Sequence, residues 1–223
     1  MSNRSELRTL TSNFVEDPNI TKFTSAKYTD SLETAQKQFC LDTKSLYKIQ
    51  AYVMAVDDAT YDLPTDFVGD KLVMLNGIEL DPASRSKLAG LYKSRRWDTL
   101  EGTPKYYVID PMEANKQLLL VPIPDSIADG TSLELTYSCI PTAMATDAAT
   151  PFNSSVLMTQ YHIAIASYAA WLLLGYLTPT DPIIQKRRDL LNTYTGKVNE
   201  AIAEFGDTKS EPMSLHPASV RVR

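Results

Sequence analysis

Only two cysteines occur in this chain of 223 residues, Cys40 and Cys139, and they form no C-x-x-C pair. That excludes a disulfide-stapled scaffold and fits a reducing compartment. Histidine is equally scarce. His162 sits in an apolar stretch and His216 near the C-terminus, with no H-x-x-x-H spacing and no Asp/Asn-rich loop of ligand spacing, so a metal site has no support. Glycine is limited to eight residues, and neither a G-x-S-x-G elbow, a Walker loop nor a Gly-rich strand-to-helix turn is present. No cofactor and no catalytic residue is therefore expected. Asp57-Asp58 is an acidic pair, but neighbours on an extended chain point to opposite faces, so an exposed turn accounts for it better than a shared catalytic site.

A long uninterrupted hydrophobic run is missing too. Gln160 and His162 interrupt the most apolar stretch, and the remainder, Ile163 to Tyr176, is shorter than the ~20 residues a membrane span requires. No membrane association is expected. The opening Met-Ser-Asn-Arg-Ser has no apolar segment behind it, which argues against a secretion signal. Net charge is −5, so bulk attraction to nucleic acid is not the design. Hydrophobic residues at 43% and charged residues at 22% leave ample material for one or two ordinary cores.

The stretch from Phe152 to Tyr176 organises the rest. Val156 to Tyr176 would run about 30 Å as a helix, and it is apolar nearly all round, as a buried helix is. Ala164, Ala166, Ser167, Ala169 and Ala170 suit close helix–helix packing. Thr178-Pro179-Thr180-Asp181-Pro182 reads as a turn, with Asp181 as N-cap and Pro182 at the first helical position. The next helix is predicted to run to Phe205. Its apolar stripe is Ile184, Leu191, Tyr194, Val198, Ala201 and Phe205, its wet side Lys186, Arg187, Arg188, Asp189 and Glu200, and Gly206 ends it. A short turn between two long helices implies an antiparallel hairpin. Two N-terminal helices are natural partners for it. One covers Ser5 to Val15, with Leu7, Leu10 and Phe14 on one side; a second starts near Asp30 and lines Tyr28, Leu32, Ala35 and Phe39 along one face.

Between these helical ends the period changes. Tyr47 to Val56 reads as extended, Lys71 to Leu80 as a hairpin turning at Asn76-Gly77, and Ser84 to Tyr92 as a helical turn. Lys105–Ile109 and Gln117–Pro122 are further strands. Ser132 to Cys139 alternates, with Leu133, Leu135, Tyr137 and Cys139 on one face. Short strands divided by turns predict a small sandwich or barrel. The fold class is thus α+β: a helical bundle from both ends of the chain, an inserted antiparallel β module and an extended C-terminal arm. The boundaries are 1–45, 46–150, 151–206 and 207–223, with the Ala-, Thr- and Asp-rich stretch 142–150 as the linker back to the bundle.

Two stretches remain as candidate contact surfaces. Arg85, Lys87, Lys93, Arg95 and Arg96, followed by Trp97, form either a solvated connection anchored by the indole or a contact for phosphate or an acidic neighbour. The arm 207–223 spans about 55 Å when extended. It cannot fold alone, yet it carries Pro212, Met213, Leu215, Pro217 and Val220, as an arm ordering on a partner would.

The order of motifs resembles the tailed-bacteriophage head-to-tail adaptors. Tyr61-x-Leu63-Pro64 is followed by Asn76-Gly77, Gly102-x-Pro104-x-x-Tyr107, Leu118-x-Leu120-x-Pro122-x-Pro124, Leu133-x-Leu135-x-Tyr137 with Pro141, and a long Tyr/Ala-rich helix. The resemblance covers about Tyr28 to Phe205. It implies a non-enzymatic virion protein of the neck between capsid and tail, present in the host cytoplasm during assembly. It implies a homo-oligomeric ring of about twelve copies, seated under the portal protein and offering a docking surface to a tail tube or nozzle protein. Packaged DNA would pass through the lumen without sequence-specific binding. The portal-binding arm would use Pro212, Met213, Leu215, Pro217, Val220, Arg221 and Arg223, and the tail-side surface Asn76, Gly77, Arg95, Arg96 and Trp97. A second reading is a carbohydrate- or receptor-binding tail module using Tyr106, Tyr107 and Trp97. A third is a cell-wall hydrolase, which would need two carboxylates opposed across a cleft.

Overall fold

The computed structural model describes residues 3–93, 96–110, 116–125, 132–152 and 156–205. Contacts divide the chain into two compact units, one holding the residues up to Leu46 together with those from Pro141 onward, the other Tyr47–Ile140.

The first unit is built from helices. Helix α1 covers Arg4–Phe14 and starts one residue before the expected Ser5, because Asn3 caps it: its side chain accepts from the Glu6 N–H while the Glu6 carboxylate accepts from the Asn3 N–H. Helix α2 covers Ser25–Thr43. The expected start near Asp30 is wrong by more than a turn, since the Thr24 hydroxyl supplies the cap by accepting from the Lys27 N–H. Phe23, just outside the helix, packs edge-on against Tyr28 at 6.1 Å and holds the start in place, as a hydrophobic staple does. Lys44, in the left-handed region at φ 48°, ends the helix by donating its N–H to the Cys40 carbonyl.

Helix α4 covers His162–Leu174 and packs against α1, α2 and α5 (Asp181–Phe205), so the most apolar helix is the central one. It is shorter than the predicted Val156–Tyr176, because Val156–Tyr161 winds as a tighter 3-10 turn. That turn brings the Tyr161 ring within 5.5 Å of Phe39 and 6.0 Å of Phe205. Phe39 is fully buried and also meets Phe152 at 5.3 Å and Tyr194 at 6.3 Å, making it the centre of an aromatic cluster. Gly175 ends α4 where a Cβ would stand 3.0 Å from the Leu172 carbonyl oxygen and 3.4 Å from the Arg187 guanidinium.

Along α5 the buried stripe is Leu190, Tyr194, Val198 and Ala201. It omits three residues of the predicted one: Leu191 and Phe205 are half-buried and Ile184 is exposed. Asp181 is the first helical residue rather than the cap, and the Thr180 carbonyl accepts the Ile184 N–H. Arg187 also departs from the wet face assigned to it. Its guanidinium lies 4.9 Å over the Trp171 ring, where planarity and weak hydration suit it. Residues 142–150 attach to the helices rather than linking freely. Gln36 donates to the Thr142 carbonyl, and Arg4 donates to the Met144 carbonyl and to Asp147.

His162 stands at the first turn of α4, almost fully buried and 6.0 Å from Phe152. Burial pushes its pKa down to about 4, because a charged imidazole would lose its water. The unfolded chain then binds the proton first. The stability due to neutral His162 is complete above pH 6.5 and falls as pH drops toward 4. Acid unfolding should therefore steepen between those values by up to about 3 kcal/mol, and His162→Gln should flatten that part of a urea-midpoint-versus-pH curve. An unchanged curve would contradict this account.

The second unit is two four-stranded sheets. Strands β1 (Tyr47–Val53), β8 (Ser132–Cys139), β3 (Phe67–Leu75) and β4 (Ile78–Glu79) form the first in that order, with antiparallel neighbours. The second orders β2 (Thr60–Asp62), β7 (Gln117–Val121), β6 (Tyr106–Asp110) and β5 (Asp81–Pro82). Its β5–β6 pair is parallel, a departure from the all-antiparallel expectation. The sheets meet through Tyr52 against Tyr61 at 5.4 Å and through the Tyr107 hydroxyl, which donates to Asp70. Leu133, Leu135, Tyr137 and Cys139 of β8 are buried as their alternation predicts; Ser138 is buried as well. Helix α3 (Arg85–Leu91) is capped by Ser84 and buries Leu88 against Val108 and Val121.

Candidate partner-binding surfaces

The predicted tail-side residues belong to two different elements. Asn76 and Gly77 form the β3–β4 turn, at φ 50° and 78°, which is the positive-φ pair an Asn-Gly hairpin demands. The Asn76 side-chain oxygen accepts from the Ser132 N–H and the Asn76 backbone N–H donates to the Ser132 carbonyl, so this residue is a structural tie between strands. Beyond the turn, Ile78 is 71% exposed. Arg96 and Trp97 lie beside the second sheet. Trp97 is half-buried, packed on Leu88, Val108 and Val121. Arg96 is exposed but bridged to Asp98 at 2.7 Å, which satisfies a charge that had looked free for a partner. Arg95 lies outside the described residues, as does the whole arm with Pro212, Met213, Leu215, Pro217, Val220, Arg221 and Arg223.

The aromatic trio proposed for sugar binding does not form an exposed platform. Tyr107 is buried, its pKa raised by desolvation and by its hydrogen bond to Asp70, while Tyr106 and Trp97 pack partly into the cluster around Leu88. A depression of about 450 Å³ is lined by Asp70, Pro82, Ser84, Arg85 and Tyr107 among others. Its polar groups are already occupied: Ser84 caps α3 and Tyr107 binds Asp70. Among the described residues no group of three His, Cys, Asp or Glu side chains could hold a metal ion. No described helix is long and apolar enough to cross a membrane. Asp57 and Asp58 sit in an exposed turn, with Asp57 at φ 61°.

The family model for the SU10 adaptor protein matches residues 2–223. The chain belongs to the SU10 adaptor family. That agrees with the phage-adaptor resemblance of its motif order and gives a bacteriophage virion protein with a structural role, associated with portal and tail proteins. No curated protein matches the chain.

Sequence reasoning missed two features of this adaptor. The first is Asp17, just beyond the end of α1. The buried carboxylate accepts from the N–H groups of Thr21, Lys22 and Phe23 and from the Thr21 and Tyr28 hydroxyls, and so shapes the α1–α2 loop. An Asp before Pro at the end of an amphipathic segment is the available signal. The second is the orientation of β1. Its apolar row Tyr47, Ile49, Ala51 and Val53 faces outward, whereas Lys48 turns to bridge Asp66 and Tyr52 packs on Tyr61.

Proposed function

We propose that the adaptor assembles as a ring of about twelve copies, seated beneath the portal, prolonging the DNA channel and presenting a docking surface to a tail tube or nozzle protein. The match of the adaptor family along nearly the whole chain carries this reading. Two compact units give one protomer two separate surfaces. In this reading the helical unit serves as the rigid wedge of the ring. The sheet unit, through the Asn76-Gly77 hairpin, Arg95, Arg96 and Trp97, meets the tail-side partner. Residues 207–223 reach the portal through Pro212, Met213, Leu215, Pro217, Val220, Arg221 and Arg223. A net charge of −5 lets DNA pass without adhering. Assembly takes place in the host cytoplasm.

Electron microscopy of the purified adaptor with and without portal tests the reading. A ring coaxial with the portal, present on mixing, is the expected result. A persistent monomer that leaves the portal bare would refute it. Adding the tail component to such particles tests the tail side: Ile78→Asp in the hairpin strand should reduce its attachment, and full attachment would remove the hairpin from the contact.

A further inference from the structure

Strand β1 presents its chemistry inside out. Ile49 is 69% and Val53 78% exposed, with Tyr47 and Ala51 exposed beside them. Register sets what borders that row on the outer face of the sheet. Ile49 stands beside Thr136 and then Leu72; Ala51 stands beside Glu134, then Met74, then Glu79. Neither glutamate makes an ion pair among the described residues, although Glu134 is half-buried between Ala51 and Met74. β1 is also an edge strand, paired only with β8 among the described residues. Nothing blunts that edge. Tyr47–Val53 contains neither Pro nor Gly, and its register with β8 is unbroken. Its one charged residue, Lys48, lies on the opposite face and is bridged to Asp66 at 2.6 Å.

We propose that a strand of the tail-side protein adds to this edge, continuing the apolar row of β1 and carrying one cation for Glu134. This rests on the reading that the sheet unit meets the tail. The occupant is a different protein, because no other sheet edge of this chain matches β1. Among the described residues the remaining edge strands are β2, β4 and β5, of three, two and two residues against seven in β1, and β5 carries Pro82. Two β1 strands paired with each other would join copies in twos and build no ring. Charge sets the chemistry of the added strand. The Ala51 methyl leaves the row low, so an arginine opposite it meets Glu134 across about 10 Å of sheet, a span the two side chains bridge together. The other end of β1 repels a cation, since the Lys71 ammonium lies 4.3 Å from the centre of the Tyr47 ring. Apolar residues therefore face Tyr47 and Ile49. The Ala51–Val53 end also lies toward the hairpin: Val53 pairs with Ser132, which Asn76 holds.

Strand addition leaves a mark that side-chain contact does not. In an antiparallel pair every second residue of β1 turns its N–H away from β8, toward the open edge. An added strand takes up those amides.

Hydrogen exchange on portal–adaptor particles, with and without the tail component, decides the matter. The alternate amides of Tyr47–Val53 should exchange at least about tenfold more slowly once the tail component is added, and no more slowly with portal alone. Ile49→Lys, at an exposed position, and Glu134→Lys should each weaken tail attachment at least about tenfold, with circular dichroism and portal binding unchanged. Glu134→Gln should flatten the salt dependence of attachment. Attachment that leaves the β1 amides exchanging as before overturns the proposal while the tail-side reading stands. No attachment at all overturns both. Protection that appears with portal alone, or that rises with adaptor concentration, also overturns it, since the portal or a second copy then covers β1.

Discussion

Truncation after Gly206 should lower affinity for the portal at least about a hundredfold, while the adaptor keeps its fold. The described helices and strands end at Phe205, so the cut leaves every one of them in the chain. Its large effect comes from repetition. A single arm offers a few apolar anchors, Met213, Leu215 and Val220 among them, and two terminal arginines. One such contact is weak, because ordering the segment costs about 1–2 kcal/mol per residue in backbone freedom. When ring faces ring, the first arm to bind makes every later one intramolecular, so modest contacts multiply into a stable joint. Deleting all arms together therefore ends binding rather than grading it. Co-sedimentation of truncated and full-length adaptor with portal rings measures the difference; undiminished binding would remove the arm from the joint.

Phe39→Ala should cost the helical unit about 3–5 kcal/mol. Phe39 is fully buried, and its ring is shared by three neighbours on three separate parts of the chain: Phe152, Tyr161 in the 3-10 turn and Tyr194 on α5. Removing it opens a cavity that rigid rings cannot close by small rotations. Two polar ties limit relaxation further. The Tyr194 hydroxyl donates to Asp42, and the Tyr161 hydroxyl, its pKa pushed up to about 12 by burial and by Glu204, donates to that carboxylate. Urea unfolding followed by helical circular dichroism should show a large loss for Phe39→Ala and a smaller one, about 1 kcal/mol, for Phe39→Leu. A loss below about 1 kcal/mol for the alanine variant would mean the cluster is looser than its ring distances indicate.

Local chemistry was legible wherever it worked alone. The apolar character of α4, the Asn76-Gly77 turn and the alternation of β8 could all be read directly, because each depends on a short stretch. Helix starts were less legible. Thr24 outcompeted Asp30 as the cap of α2 because Phe23 could staple onto Tyr28 there, a choice made by packing. Arg187 looked like one of three consecutive solvated charges, and only the fold put Trp171 under it. Trp97 and Arg96 looked like a binding pair, yet one is packed and the other is bridged to Asp98.

By itself the sequence determined the α+β class, the central helix and the adaptor motif order, since periodicity and turn residues act over a few neighbours. Tertiary structure alone decided which face of β1 turns outward, that Asp17 gathers five donors, and which ridge of α5 is buried. Each of those depends on partners far along the chain, whose positions no local pattern encodes.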